Sequence, residues 1–378
     1  MNHIEKLLHE LCPNGVRYER LGKLIEKHVG GGTPSKSNHE FWGGSIPWAS
    51  VKDMTGNVLY LNNTIDRITD LGLQESTSNL IPEGNVVVAT RIAPGKMLIN
   101  TIDVAINQDL RALYLKPTLL PKFLVHLSPT LKFEASGTTV KGIPIKKLLD
   151  IRIPVPPIKI QHAIVDILDK FMELEAELEA ELEARRVQYE YYRDALLTFP
   201  TNYPHVRLDE ILKIRNGRPY KHLGSGEVPV YGSGGVMTHV NKPLATGPSV
   251  LIPRKGSLSN IYYLDGPFWT VDTIFYTDIN TSAIFPKYLY HLLLSMNLER
   301  LNEAAGVPSL TQKALNRLKI PLPSLTRQIQ IASILDKFDA LVNDISSGLP
   351  AEIAARRKQY EYYRDRLLTF REIEGGHE

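Results

Sequence analysis

The sequence predicts an α+β protein: two pseudo-symmetric α+β domains separated by a pair of long antiparallel coiled-coil helices. Three observations carry this. QYEYYRDALLTF at 188–199 returns as QYEYYRDRLLTF at 359–370, 171 positions later (359 − 188), with one change. Four other stretches recur in the same order, which marks a tandem duplication of one unit. Short apolar runs broken by Gly, Pro and Asn precede each long stretch of helical periodicity.

The repeats run as follows. RLGKLI at 20–25 matches RLDEIL at 207–212. VVVATR ends at Arg91 and SVLIPR at Arg254, with Asp109 and Asp272 each 18 positions further on. PKFLVHL at 121–127 matches PKYLYHL at 286–292. IPVPPIKIQHAIVDILDKF at 153–171 matches IPLPSLTRQIQIASILDKF at 320–338. Domains are therefore placed at 1–157 and 201–324, with a central helix at 158–200 and a distal helical region at 325–378.

Within the domains, SIPWAS, NVVVAT, SVLIPR and NIYYLDGPFWTVDTIFYT read as strands and turns. Helices start near Pro121 and Pro286, where proline is tolerated in the first turn. IPVPP and IPLP read as rigid extended links. From 161 to 199 no Gly or Pro occurs. Ile164, Leu168, Phe171, Leu174, Leu178, Leu182, Tyr189, Tyr192, Leu196 and Phe199 follow steps of three and four, one apolar stripe on a rod of roughly 58 Å. Such a helix needs a partner. The second copy, 328–370, supplies it, bending near SSGLP because Pro350 lacks a backbone donor and Gly348 is a poor helix former. The alternative puts Pro350 in the first turn of a new helix after Ser347.

Composition excludes more than it selects. A formal net charge of +3 is too small to indicate a nucleic-acid partner, so any basic footprint must be local. Cys12 is the single cysteine, which rules out an intrachain disulfide and a cysteine zinc cluster and fits a reducing compartment. The start MNHIEKLLHELCPNG lacks an apolar core, and no stretch reaches the ~18 apolar residues of a membrane span. A cytoplasmic location is expected.

Catalytic signatures are missing. GGGTPSKS at 30–37 resembles a phosphate-binding loop but has Ser35 where the second glycine belongs, without the strand–helix context. There is no H-E-x-x-H, no G-x-S-x-G, no dinucleotide-type G-x-G-x-x-G, and no N-P-P-Y or D-P-P-Y. ELEAELEAELEA at 173–184 holds six glutamates, read as a solvated helix face. No catalytic residue and no metal site is expected.

Two variable halves, each followed by an "IP-x-P…Q…I…LD-x-F" helix start and an "R-x-x-Q-Y-E-Y-Y-R-x-x-L-L-x-F" end, resemble the specificity subunit of a type I restriction–modification system. GGGTPSKSNHEFWGGSIPWASVKDM at 30–54 resembles the first target-recognition domain of such subunits. The family often has an acidic residue before the helix-start glutamine, where this chain has Ile160 and Arg327.

The resemblance implies a non-catalytic DNA reader. Each half would read one part of a bipartite, asymmetric site on double-stranded DNA, and the helices would space the readers and dock two methyltransferase subunits. No cofactor would be bound by this chain. S-adenosylmethionine would belong to the methyltransferase partners, ATP and Mg2+ to two restriction/motor subunits. A coiled-coil scaffold without sequence readout is the alternative.

Contact candidates are basic or amide residues in Gly-punctuated turns. The first half offers Lys36, Lys52, Arg91, Lys96, Asn107 and Gln108, and the second Arg218, Lys221, Arg254, Lys255, Ser259 and Asn260. Lys and Arg neutralise phosphate, Arg forks onto guanine, and Asn or Gln pairs with adenine. Arg91 and Arg254 lead because each follows an apolar strand. Asp109 and Asp272 are expected to be structural partners. The span from the RL start to that arginine is 71 positions in the first half (91 − 20) and 47 in the second (254 − 207), an insertion around 41–80. Three tandem ELEA units suggest a spacer that sets the unread gap. Tyr189, Tyr192, Leu196 and Phe199, with Tyr360, Tyr363, Leu367 and Phe370, are expected to form the seam. Gln188, Glu190, Tyr191 and Arg193, with Gln359, Glu361, Tyr362 and Arg364, lie off it and are expected to dock the two partners.

Overall fold

The computed structural model describes residues 3–56, 58–133, 142–302, 307–344 and 346–373. The chain forms two compact units, residues 1–177 with 354–378, and residues 178–353. Each unit thus combines one globular domain, the start of the helix that follows it, and the tail of the other copy's helix.

In the first unit, five strands lie in the order Ile25–Gly30, Leu110–Leu115, Val86–Ala89, Met97–Asn100, Tyr60–Leu61. A second sheet has the order Asp66–Ile68, Trp42–Ala49, Val104–Ile106, Asn79–Ile81. The run VVVA is buried at every position. Its alternation is still used: Val86 and Val88 enter one core, Val87 and Ala89 another.

The second unit repeats this plan. Its sheets are Leu212–Asn216, Ile274–Ile279, Ser249–Pro253, Tyr262–Leu264, and Gly235–Val240, Val228–Gly232, Pro267–Thr270, Ala245–Thr246. One parallel pair recurs in the middle of one four-stranded sheet of each unit: Trp48 faces Ala105 in one, Val230 faces Trp269 in the other. The insertion is also placed. Strands Val228–Gly232 and Gly235–Val240 are joined by a tight turn, whereas residues 50–65 separate Trp42–Ala49 from Asp66–Ile68 and carry the added edge strand Tyr60–Leu61.

The central helix is continuous over Ile158–Leu197, 40 residues or roughly 60 Å. The distal region is two helices, Leu325–Asn343 and Leu349–Leu367, broken where SSGLP predicts. Asp344 accepts hydrogen bonds from the Ser346 and Ser347 hydroxyls. A Cβ on Gly348 would lie 2.5 Å from the Ala340 carbonyl oxygen, so only glycine fits. Pro350 occupies the first turn of the second helix, where its missing N–H costs nothing.

The seam differs from the expectation at two places. Leu174 is 46% exposed and Tyr192 39%, while Glu175 is only 6% exposed. Leucines repeating every four residues rotate by about 40° per repeat around a 3.6-residue turn, so they cannot all face one partner. The inward position falls to Glu175, whose charge is met by Arg357. The glutamate run is therefore not a uniformly solvated face. Pairing inside the first unit is antiparallel: Phe171 stacks on Tyr363 at 5.2 Å, and Glu175 meets the earlier Arg357. In the second unit Phe338 takes both Tyr189 and Tyr192, at 6.4 and 5.4 Å.

Candidate nucleic-acid interface

At one end of the larger first-domain sheet, strand Val86–Ala89 stops and strand Leu110–Leu115 begins. The Thr90 amide and hydroxyl both donate to the Asp109 carbonyl, at 2.8 and 3.0 Å. The Asp109 amide donates to Asn107 Oδ1 at 3.0 Å, and Asn107 Nδ2 reaches the Asp109 carboxylate at 3.3 Å. That carboxylate holds Arg91 in an ion pair at 3.6 Å. Asp109 is thus the structural partner that the sequence suggests, and Asn107, 6% exposed, orients it.

Thr90, Arg91 and Asp109 line an open cleft of about 570 Å³, together with Gln108, Arg111 and Ile143. Arg111 is a residue the sequence reasoning missed. Its guanidinium donates to His28 Nδ1 at 2.8 Å. Burial, and then the guanidinium charge, push the His28 pKa down, which favours the neutral ring that accepts this bond. Ile92, next to Arg91, is 68% exposed with φ +67°, a conformation a β-branched residue rarely adopts.

Gly31 and Gly32 explain why GGGTPSKS resembles a phosphate loop without being one. Added Cβ atoms would sit 1.9 Å from the Ile106 carbonyl oxygen and 2.0 Å from the Thr77 hydroxyl. The glycines serve close packing of the sheets. Other first-half candidates do not line the cleft. Lys36 is exposed in a turn and Lys52 on the 3-10 turn Val51–Asp53. Lys96 donates to the Gly56 carbonyl at 2.6 Å, and burial lowers its pKa. Gln108, which does line the cleft, accepts from the Thr33 hydroxyl.

The second domain has the same backbone frame. The Arg254 amide donates to the Thr273 carbonyl at 2.9 Å, and Leu310 donates to Arg254, as Ile143 does to Thr90. Lys255 bridges to Ser309 as Arg91 does to Gly142. The sequence match of Arg91 with Arg254 and Asp109 with Asp272 is therefore off by one. Hydrogen-bond register equates Thr90 with Arg254, Arg91 with Lys255, Asp109 with Thr273 and Arg111 with Phe275. Equal 18-residue spacing misled because each strand end shifted together.

Arg254 lies 5.9 Å over the Phe275 ring and donates to the Asp272 carbonyl at 3.4 Å. Lys255, Ser259, Arg218 and Lys221 are exposed. The Arg218 carbonyl accepts from Trp269 at 2.8 Å, and Asn260 donates to the Ser233 carbonyl at 3.0 Å.

The repeated helix phrases sit in matching surroundings. Gln188 accepts from Arg185 and Gln359 from Arg356. Arg193 and Arg364 are largely covered, pair with Asp194 and Asp365, and lie over Tyr189 and Tyr360. Glu190, Tyr191, Glu361 and Tyr362 are exposed, the tyrosines at 69% and 59%.

Each phrase is locked by a polar chain that sequence reasoning missed. Tyr360 Oη meets His126 Nδ1 at 2.9 Å, His126 Nε2 meets Asp169 at 3.0 Å, and Lys122 meets Asp169 at 2.6 Å. In the second unit Tyr189, His291, Asp336 and Lys287 repeat it at 3.4, 2.9 and 2.7 Å. Burial raises the Asp169 pKa, but bonds from His126 and Lys122 outweigh it and leave it lowered. Gln161 and Gln328, both fully buried, close the matching gaps. Each amide accepts one backbone N–H (Leu120, Phe285) and donates to two carbonyls. The signal was present: polar residues repeated within otherwise apolar runs.

A duplicated α+β frame with divergent basic corners and paired helices defines a class of two-domain protein built on an internal repeat. Two segments, 13–184 and 200–355, match the type I restriction modification DNA specificity domain, and the chain belongs to that family of specificity subunits. It is 31% identical to the type I restriction enzyme EcoprrI specificity subunit of Escherichia coli, over 92% of each chain. It is 34% identical to the EcoR124I/EcoR124II specificity subunit of the same organism, over 67% of this chain and 71% of that one. The crystal structure of a type I restriction–modification S subunit from M. genitalium superposes with a TM-score of 0.60 at 20% identity, covering 94% of this chain and 96% of that one. A chain from a study of complex assembly and conformational transition of the type I R-M system gives 0.63 at 16%, covering 94% and 98%. Among the described residues no helix is long and apolar enough to cross a membrane.

Proposed function

We propose that this chain is the non-catalytic DNA reader of a type I restriction–modification complex. It recognises a bipartite, asymmetric site, one half per domain, and docks two methyltransferase subunits, through which restriction/motor subunits join. One observation carries the reading: the two domains share a hydrogen-bonded frame but present different cations on it, Arg91 and Arg111 in one, Arg254 and Lys255 in the other. Equal frames meet a regular duplex equivalently, while unequal side chains meet different bases. The exposed Glu190–Tyr191 and Glu361–Tyr362 pairs are the repeated surfaces for two like partners. S-adenosylmethionine would serve the methyltransferase partners, and ATP with Mg2+ the motors.

The test is to mix the chain with its methyltransferase subunits and compete labelled DNA against random duplexes. Sequence-selective binding by the complex, with no methyl transfer by the chain alone, is the expected outcome. Equal competition by every duplex would favour a scaffold without readout.

A further inference from the structure

Arg111 sits on the second residue of strand Leu110–Leu115, opposite Val88 on one side and Gly30 on the other. The glycine matters, because a Cβ on Gly30 would come within 3.2 Å of Arg111 Nη2. The guanidinium is therefore laid over bare backbone and aimed by His28, along the wall that also carries Arg91, Gln108 and Asp109.

A purely structural arginine in a half-buried site is ordinarily neutralised by a carboxylate or by several carbonyls. Even the more exposed Arg91 is paired, with Asp109 at 3.6 Å. Arg111 makes no ion pair among the described residues, and its hydrogen-bond partner is an uncharged imidazole nitrogen. Its charge is held in place without being cancelled, which suits a group waiting for an external acceptor.

The second domain puts Phe275, 2% exposed, at the equivalent position, and brings a guanidinium to that corner from the neighbouring strand end as Arg254. The cation is thus swapped between two adjacent backbone positions: Thr90 and Arg111 in one domain, Arg254 and Phe275 in the other. A group needed only to hold the fold would not be displaced in this way.

We propose that Arg111, positioned by His28, is a specificity-determining residue for the half-site read by the first domain, with a base edge bearing two acceptors as its ligand. This rests on the reading of the chain as a DNA-specificity subunit. The second half-site serves as internal control, since no part of the second domain is altered.

The experiment is methylation-motif sequencing with complexes carrying Arg111→Phe, Arg111→Ala and Arg111→Lys. Arg111→Phe installs the other domain's residue, and Arg111→Lys keeps charge and bulk but loses the planar fork. All three are expected to lose discrimination at one or more positions of one half-site by roughly tenfold or more, with the other half-site and the gap unchanged. Should Arg111→Phe or Arg111→Ala disturb assembly, Arg111→Lys decides alone. An unchanged motif in Arg111→Lys and in every variant that assembles would overturn the proposal, as would a uniform loss of affinity with intact discrimination. A wild-type complex with no motif at all would instead remove the reading beneath it.

Discussion

The two globular domains agree where backbone decides and differ where side chains decide. Both hold a parallel strand pair in the middle of a four-stranded sheet, both anchor a domain carbonyl or amide on a buried glutamine, and both end a central strand under a bridging segment. At that end, however, Thr90, Arg91 and Arg111 stand against Arg254, Lys255 and Phe275. Duplication therefore preserved a frame of hydrogen bonds while freeing the residues mounted on it. Backbone bonds depend little on side-chain identity, so such a frame tolerates divergence that a packed core would not.

The comparison can be broken at its shared parts first. His126→Ala and His291→Ala each remove a fully buried ring, take one of two partners from an aspartate that keeps its lysine, and leave a tyrosine hydroxyl without its histidine. Each is expected to destabilise its own unit by about 2–4 kcal/mol, read by chemical denaturation. Equal losses would confirm the two clamps as equivalents; a loss in one variant only would break the symmetry.

Next comes the divergent corner. Arg254→Ala is expected to relax the second half-site alone, by ~1–3 kcal/mol if it forks a guanine. An unaltered motif with an unaltered salt dependence would remove Arg254 from the reader. Smaller still is the clamp hydroxyl. Tyr360→Phe is expected to cost ~0.5–1.5 kcal/mol for its 2.9 Å bond. Tyr189→Phe, whose contact is 3.4 Å, should cost less by the same denaturation assay.

The His28 bond gives a pH dependence with a fixed sign. Its pKa is lowered in the folded protein, so the folded state resists protonation more than the unfolded chain. The contribution is present above the ordinary imidazole value of about 6.5 and is lost as pH falls through the lower folded value. An NMR titration of His28 should show that depressed midpoint, and Arg111→Phe should raise it by removing the guanidinium.

The helices were legible because periodicity and the lack of Gly and Pro are local properties, and the break at Gly348 was legible for the same reason. Leu174 and Glu175 were not, because steps of three and four leave the stripe's drift undetermined until a partner residue such as Arg357 fixes it. The cleft was half legible. Arg91 and Gln108 lie in connections between strands, where polar residues stand out, but Arg111 lies inside a strand, where its alternation reads as ordinary surface. The exchange of helix tails between units was visible only as a repeat, since sequence gives no long-range pairing.

The spacer tests the frame from the side. Removing one ELEA unit shortens the helix by ~6 Å, and we expect the unread gap to change while both half-sites persist. An unaltered gap would show that the repeat does not set spacing.

The central claim, that one frame used twice reads two different sequences, is tested most directly by sequencing DNA methylated by the wild-type complex. The account predicts two unequal half-sites separated by a fixed unread gap. Two identical half-sites, or methylation without a motif, would contradict it.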